Sequence, residues 1–380
     1  MRRNIITLNF FPLKPLSMSL IKSILRAKQQ PIHSYESFWS WFQENERTFF
    51  KIVRNGDHIE KDFFGKLGPK LKQLNDGFYY LTGMYDNDTA ELIISPEGVV
   101  KNIVFTEELV ASAPQIKGWK FTALKPEMGI QDVNIEMAGY KFNNDKMQFI
   151  AVNNPAYPDE IDITIIHDDL TEENRSTITN GTYVFLDNFL GELNFAITID
   201  NVEVIGKGQT QRELVPIDKL KDYLGWRQKE FVEKYEGTRY NTENDSYAAM
   251  EAELKNGMPL VAIINTELLK WDRKASHPWM MTVEIKYSAE DNGMPNETDY
   301  QLMDEIENKI QDQLKDADGY LNVGRETADS LREVFFACRD FRKPSKVLHQ
   351  IQSDYASNLE VNYEIHKDKY WKSLDRFHNG

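Results

Sequence analysis

The chain has 380 residues, 45 basic and 60 acidic side chains, one cysteine and 41% hydrophobic residues, the composition of a soluble globular protein long enough for two self-sufficient cores. A single cysteine excludes an internal disulfide and fits a reducing, cytoplasmic setting. A net charge of −15 repels polyphosphate, so nucleic acid is not an expected partner.

The charge is uneven. Residues 1–35 carry Arg2, Arg3, Lys14, Lys22, Arg26 and Lys28 and no acid, which leaves the remainder at −21. Asn9, Pro12, Lys14 and Pro15 interrupt the apolar run before it reaches the length of a secretory core, and no small-residue cleavage site follows. Residues 1–30 are therefore expected to be a disordered basic extension, with Met18 an alternative start. No later window is apolar enough to predict a membrane span.

Ser34 is placed to cap a helix reaching Asn55, with Phe38, Trp39, Phe42, Phe49, Phe50 and Val53 at helical spacing. A second helix carries Ile59, Phe63, Phe64, Leu67, Leu71 and Leu74, with a kink expected at Gly68-Pro69. Short β runs follow at 78–84 and 92–95, then a helix over 99–113 and a strand over 119–123. Further strands are predicted at 133–137, 147–152 and 161–167. Thr171 is placed to cap a helix to Leu190, with Glu172 and Glu173 in its first turn. A strand over 195–204 and a helix over 217–235 complete an α+β domain spanning 31–236.

The polar stretch 237–257 reads as a linker, interrupted by a brief helix near 247–254. Beyond it the alternation is clear. Trp279, Met281, Val283, Ile285 and Tyr287 share one face of a strand. A helix over 298–315, two strands at 320–325 and 331–339, a helix from about Pro344 and a strand over 359–366 follow. The order β-α-β-β-α-β predicts a ferredoxin-like domain over 258–380, an antiparallel sheet with two helices on one face. Residues 258–265 add a strand before it, and Tyr370, Trp371, Leu374 and Phe377 a closing helical turn. Cys338, within an apolar run, is expected to be a buried small hydrophobe.

Motifs for zinc hydrolysis, redox dithiols, nucleophile elbows and dinucleotide binding are missing from the sequence, and no cofactor is expected. Asp162, His167, Asp168 and Asp169 form the one group with metal or acid–base potential. Strand alternation opposes it, because His167 shares a face with Ile161, Ile163 and Ile165 while Asp162 and Asp168 face the other way. Phe335 and Phe336 fall where some sheets stack RNA bases, but the surrounding residues do not fit the aromatic RNA-binding pattern. The helical stretch from Glu297 to Asp318 carries eight acids, Asp304 and Glu305 among them, which is a solvated face or a docking surface for a basic partner.

His277-Pro278-Trp279, Asn292-Gly293-Met294-Pro295 and Val323-Gly324-Arg325-Glu326-Thr327, followed by Leu331-Arg332-Glu333-Val334-Phe335-Phe336, resemble the domain of unknown function 695 family over about 258–377. Where that family commonly has T-x-D-G, this chain has Thr327-Ala328-Asp329-Ser330. The resemblance implies a bacterial regulatory or interaction module, because members often occur beside proteins similar to regulator B of ribonuclease E activity, a small ferredoxin-like inhibitor. Gly324, Arg325 and Arg332 are then candidate binding residues around the hairpin, the arginines either gripping a partner or pairing with Glu326 and Glu333. The expectation is a two-domain α+β protein, more a non-catalytic regulator with an unidentified protein partner than an enzyme. The alternatives are a metal-assisted hydrolase and an immunity-type antagonist of a toxin. The sequence leaves the oligomeric state open.

Overall fold

The computed structural model describes residues 31–378; the expected basic extension, residues 1–30, lies outside them. Ser34 caps helix α1 (Tyr35–Asn55) through a reciprocal pair: its hydroxyl accepts from the Ser37 amide, and the Ser37 hydroxyl accepts from the Ser34 amide. Gly56, in the left-handed conformation, ends the helix. Phe38, Trp39, Phe42, Phe49 and Val53 are buried along its inner face. A π-helical segment (Ile59–Phe64) runs into α2 (Gly65–Leu71). The irregularity therefore falls before Gly65, and Pro69 is accommodated inside the helix rather than kinking the chain at Gly68-Pro69. The chain divides into two compact units after Asp76.

The second unit starts with a three-stranded sheet of β1 (Tyr79–Met84), β2 (Ala90–Ser95) and β3 (Trp119–Ala123), with α3 (Val100–Ala111) crossing between the parallel β2 and β3. A hairpin of β4 (Ile135–Met137) and β5 (Tyr140–Phe142) precedes a four-stranded sheet. That sheet holds β6 (Met147–Val152), β7 (Asp162–His167), β8 (Asn201–Gly206) and β9 (Val215–Pro216) in the order β8-β7-β6-β9. Its core joins Phe149, Ile163 and Ile165 to α4 (Arg175–Leu190) and α6 (Leu220–Tyr235).

Two expectations fail here for local reasons. Helix α4 starts at Arg175, not after Thr171, because Asn174 accepts from the Thr171 amide and donates to Asp169 O, closing a turn first. Residues Glu192–Thr198 form a short helix, α5, over the first part of the strand expected at 195–204, and the strand itself, β8, begins only at Asn201. Buried Glu192 at the helix start accepts from the Ser95 hydroxyl and the Gly98 and Lys125 amides, contacts from distant segments that override the β-prone composition.

The C-terminal sheet has six strands in the order β10-β11-β13-β14-β12-β15, every neighbouring pair antiparallel. They are β10 (Tyr247–Glu253), β11 (Pro259–Asn265), β12 (Trp279–Lys286), β13 (Tyr320–Ala328), β14 (Leu331–Cys338) and β15 (Glu360–Lys367). Residues read as a brief helix within a linker are thus an edge strand. Helices α8 (Glu297–Gln313) and α9 (Arg342–Tyr355) pack Met303, Ile306, Ile310, Leu348 and Ile351 against Met281, Val283, Val334 and Phe336. Each fully buried aliphatic side chain contributes roughly 1.5–3 kcal/mol. The opposite face receives α7 (Thr266–Lys270) and the closing turn Lys372–Phe377, which bury Met280, Phe335, Trp371 and Leu374. Phe335 and Phe336 point to opposite faces, and both are buried. Cys338 is buried, and burial pushes its thiol pKa up. The mixed α+β class is as expected, and among the described residues no helix is long and apolar enough to cross a membrane.

Candidate functional site

The helix layer ends over β13, and at that boundary the candidate residues of the hairpin meet α8. Arg332, 2% exposed, donates from Nη1 to Asp304 Oδ1 and Glu307 Oε1, each at 2.9 Å, and from Nε to Thr327 Oγ1 at 3.1 Å. Arg325 donates from Nη1 to Glu307 Oε2 at 2.7 Å and to Asp304 Oδ1 at 3.2 Å. The Tyr300 ring covers the Arg332 guanidinium with its centroid 5.0 Å away. Burial disfavours the Arg325 charge, but Glu307 and Asp304 outweigh it and hold its pKa above the ordinary value. Two arginines and two carboxylates balance, so the cluster fastens α8 to the β13–β14 hairpin without stranding a buried charge.

Gly324 serves the same joint. Its φ is +145°, and a Cβ there would lie 2.3 Å from Ile263 O of β11. The strand bulges between Asn322 and Gly324, a close backbone approach that only glycine permits. The hairpin closes on Asp329 (φ 43°) and Ser330 (φ 74°), the two left-handed residues of a type I′ turn. Ser330 occupies the position where glycine is favoured.

Beyond this joint the sheet continues bare. Tyr247, Ala249, Glu251 and Glu253 of β10 share the helix-side face with Val261 and Ile263 of β11; the β10 residues are exposed, and Val261 and Ile263 are half-buried. A groove of about 980 Å³ runs between this wing and α8, lined by Tyr247, Ile263, Asn322 and Arg325 on the sheet side and Asn308, Gln311 and Asp312 on the helix side. Asp316 closes one end by accepting from the Thr242 amide at 2.9 Å and the Thr242 hydroxyl at 2.5 Å. Glu243, Glu251 and Glu253 have no cationic partner among the described residues, whereas Asp312 pairs with Lys315 at 3.0 Å.

Residues 252–377 match the family described as Family of unknown function (DUF695). No curated protein and no solved structure matches the chain. The DUF695 stretch contains the arginine cluster, Gly324 and the α8 wall of the groove, and it starts within β10.

Other sequence candidates sit apart from this site. Glu305 of the DUF695 region faces α9 instead, where it accepts from the Tyr355 hydroxyl at 2.6 Å. Glu326 and Glu333 are not the arginines' partners, because they lie on the opposite face of the hairpin beside Arg376, at 3.2 and 4.0 Å. His277 is buried next to the Ser276 hydroxyl at 2.9 Å, and burial, with the Arg239 charge adding to it, pushes its pKa down to about 4.

Asp162, His167, Asp168 and Asp169 are not gathered around a common point. Asp162 accepts from Asn201, Asp168 pairs with Lys207 and Asp169 with Lys146. His167 is buried, with Nε2 3.0 Å from Lys141 O and Nδ1 accepting from the Asp169 amide; burial pushes its pKa down despite the Lys141 carbonyl. Among the described residues no three His, Cys, Asp or Glu side chains are placed to hold a metal ion.

The sequence reading missed Glu307, Thr327 and Tyr300. Glu307 had a visible signal: it lies on the apolar stripe of Met303, Ile306 and Ile310, where a carboxylate needs a buried cation.

Proposed function

We propose that the chain is a cytoplasmic, non-catalytic interaction protein that binds an extended, basic segment of a protein partner along the β10–β11 wing. In this reading the C-terminal region is a ferredoxin-like β12-α8-β13-β14-α9-β15 unit enlarged by two strands. The order β13-β14-β12-β15, all antiparallel with both helices on one face, supports that assignment.

The observation that carries the binding reading is β10 itself. It is the edge strand of the sheet, its helix-side face is exposed, and it borders a groove lined by Glu243, while Glu251 and Glu253 carry the exposed face on along the strand, all three without a cationic partner among the described residues. An extended peptide can add to such an edge through main-chain hydrogen bonds, with lysines or arginines meeting these carboxylates. The arginines of the hairpin and the acids of α8 already satisfy one another, which leaves them a structural role at the border of the groove.

The test replaces Tyr247 with a photo-crosslinking phenylalanine and, as control, exposed Trp226 of α6, each in the full chain in its native cells. A discrete adduct at Tyr247 alone, suppressed by high salt, is expected. Equal adducts at both positions, or none at Tyr247, would overturn the reading.

A further inference from the structure

A second cavity, of about 370 Å³, lies where α6 meets the ends of β12, β14 and β15. Pro278 and Trp279 of the His277-Pro278-Trp279 run form part of its wall, together with Phe231 and Phe341. Trp279 meets Phe341 edge to face at 4.9 Å, which makes the wall rigid. Four cations line this apolar vessel: Arg339, Arg342, Lys367 and Lys369.

Their existing partners leave donors over. Arg342 is spoken for, since it clasps Glu107 through two bonds of 2.8 Å and lies 3.5 Å from Asp340. Lys369, 2% exposed, donates to Asp159 O at 2.6 Å and to Asp200 Oδ2 at 2.8 Å. Lys367 donates to Thr198 O at 2.9 Å and pairs with Asp200 Oδ1 at 3.0 Å. One carboxylate thus serves two buried ammonium groups; Lys369 also lies over the lining Phe231 ring, 4.4 Å from its centroid, whereas Lys367 keeps a third N–H. The half-buried Arg339 guanidinium gives a single bond, to Thr238 O at 3.2 Å, and has no carboxylate partner among the described residues. Glu236, exposed at the rim, and Asp340, which caps the first amides of α9, are the acids on the lining.

We propose that this cavity binds a small oxyanion ligand, a phosphoryl or carboxylate group on a compact body, whose oxygens take the donors that Lys367 and Arg339 leave unfilled, beside the buried Lys369 charge. The volume suits a small metabolite rather than a peptide, so this site is separate from the β10–β11 groove and stands or falls independently of it. Burial also holds the Lys367 amine down to about 8, against the pull of Asp200 and with Lys369 adding to the effect, so Lys367 reports on occupancy through its reactivity near pH 8.

The experiment measures acetylation of Lys367 by mass spectrometry in the full-length protein, with inorganic phosphate, malonate or sodium chloride at equal ionic strength, alongside thermal melting. At least one oxyanion is expected to protect Lys367 and raise the melting midpoint in a saturable way, and the identity of the protecting anion separates the phosphoryl from the carboxylate source. Arg339→Gln should weaken that protection about tenfold, the loss expected for a charge-assisted hydrogen bond. Protection no greater than with chloride by either anion overturns the proposal on the unmodified protein, whatever the variant does. Undiminished protection in Arg339→Gln overturns it as well.

Discussion

The two halves of the C-terminal sheet obey different rules. In β13, β14 and the start of β12 both faces are covered, the alternating residues Met280 and Met281, or Phe335 and Phe336, are buried to either side, and the charged groups at the boundary are mutually satisfied. Across β10 and β11 one face only is covered: Ala262 and Ile264 are fully buried, while Tyr247, Ala249, Glu251 and Glu253 meet solvent. The difference teaches that the motif residues Gly324, Arg325 and Arg332 build the border between the halves. Under the proposed function, recognition falls to the side chains beyond that border.

Breaking the border should cost the most. Arg332→Met leaves Glu307 buried with half its compensation, and a loss of about 3–5 kcal/mol in urea unfolding is expected; a loss below about 1 kcal/mol would mean that the cluster is not the fastening it resembles. Gly324→Ala drives a Cβ into Ile263 O and should cost about 2 kcal/mol or more, with faster hydrogen exchange confined to β11 and β13.

A pH series sharpens the comparison on the covered side. Burial, and then hydrogen bonding to Glu326 directly across the ladder, raises Glu333 from the ordinary 4.5 to about 7. A raised folded-state value means that the native protein holds this proton more tightly than the unfolded chain. The stability it lends is complete below about pH 4.5 and is lost as pH climbs through 7. Glu333→Gln should flatten that part of the stability profile, and an unchanged slope would assign it to other groups. The smallest effect is expected at the hairpin tip, where Ser330→Gly relieves a left-handed serine and should stabilise by about 0.5–1 kcal/mol.

The covered half was the legible one. Strict alternation in β12 and β15 and the apolar stripes of α8 and α9 mark the elements directly, because each has one face in the core and the period survives in the residues. The bare wing lacks that signal: Tyr247-Ala248-Ala249-Met250-Glu251-Ala252-Glu253 mixes helix formers with acids, and only pairing with β11 makes it a strand. Of the candidate binding residues, Asp304, Arg325 and Arg332 do meet. Their pairing was not legible, because the spacing within a helix and a hairpin does not say which faces which. The Asp162–Asp169 set was a coincidence of sequence proximity that strand alternation already opposed.

The most direct test reverses the charge of the wing and of the α8 wall that faces it. Wild type and the triple variant Glu251→Lys, Glu253→Lys, Asp312→Lys should unfold within about 0.5 kcal/mol of each other per site, as surface substitutions do. Affinity capture from native cells, quantified for both, should recover with wild type a stoichiometric protein that high salt releases, and the variant should lose it. The same protein retained equally by the variant, or no stoichiometric protein with wild type, would contradict a partner seated on β10 and β11.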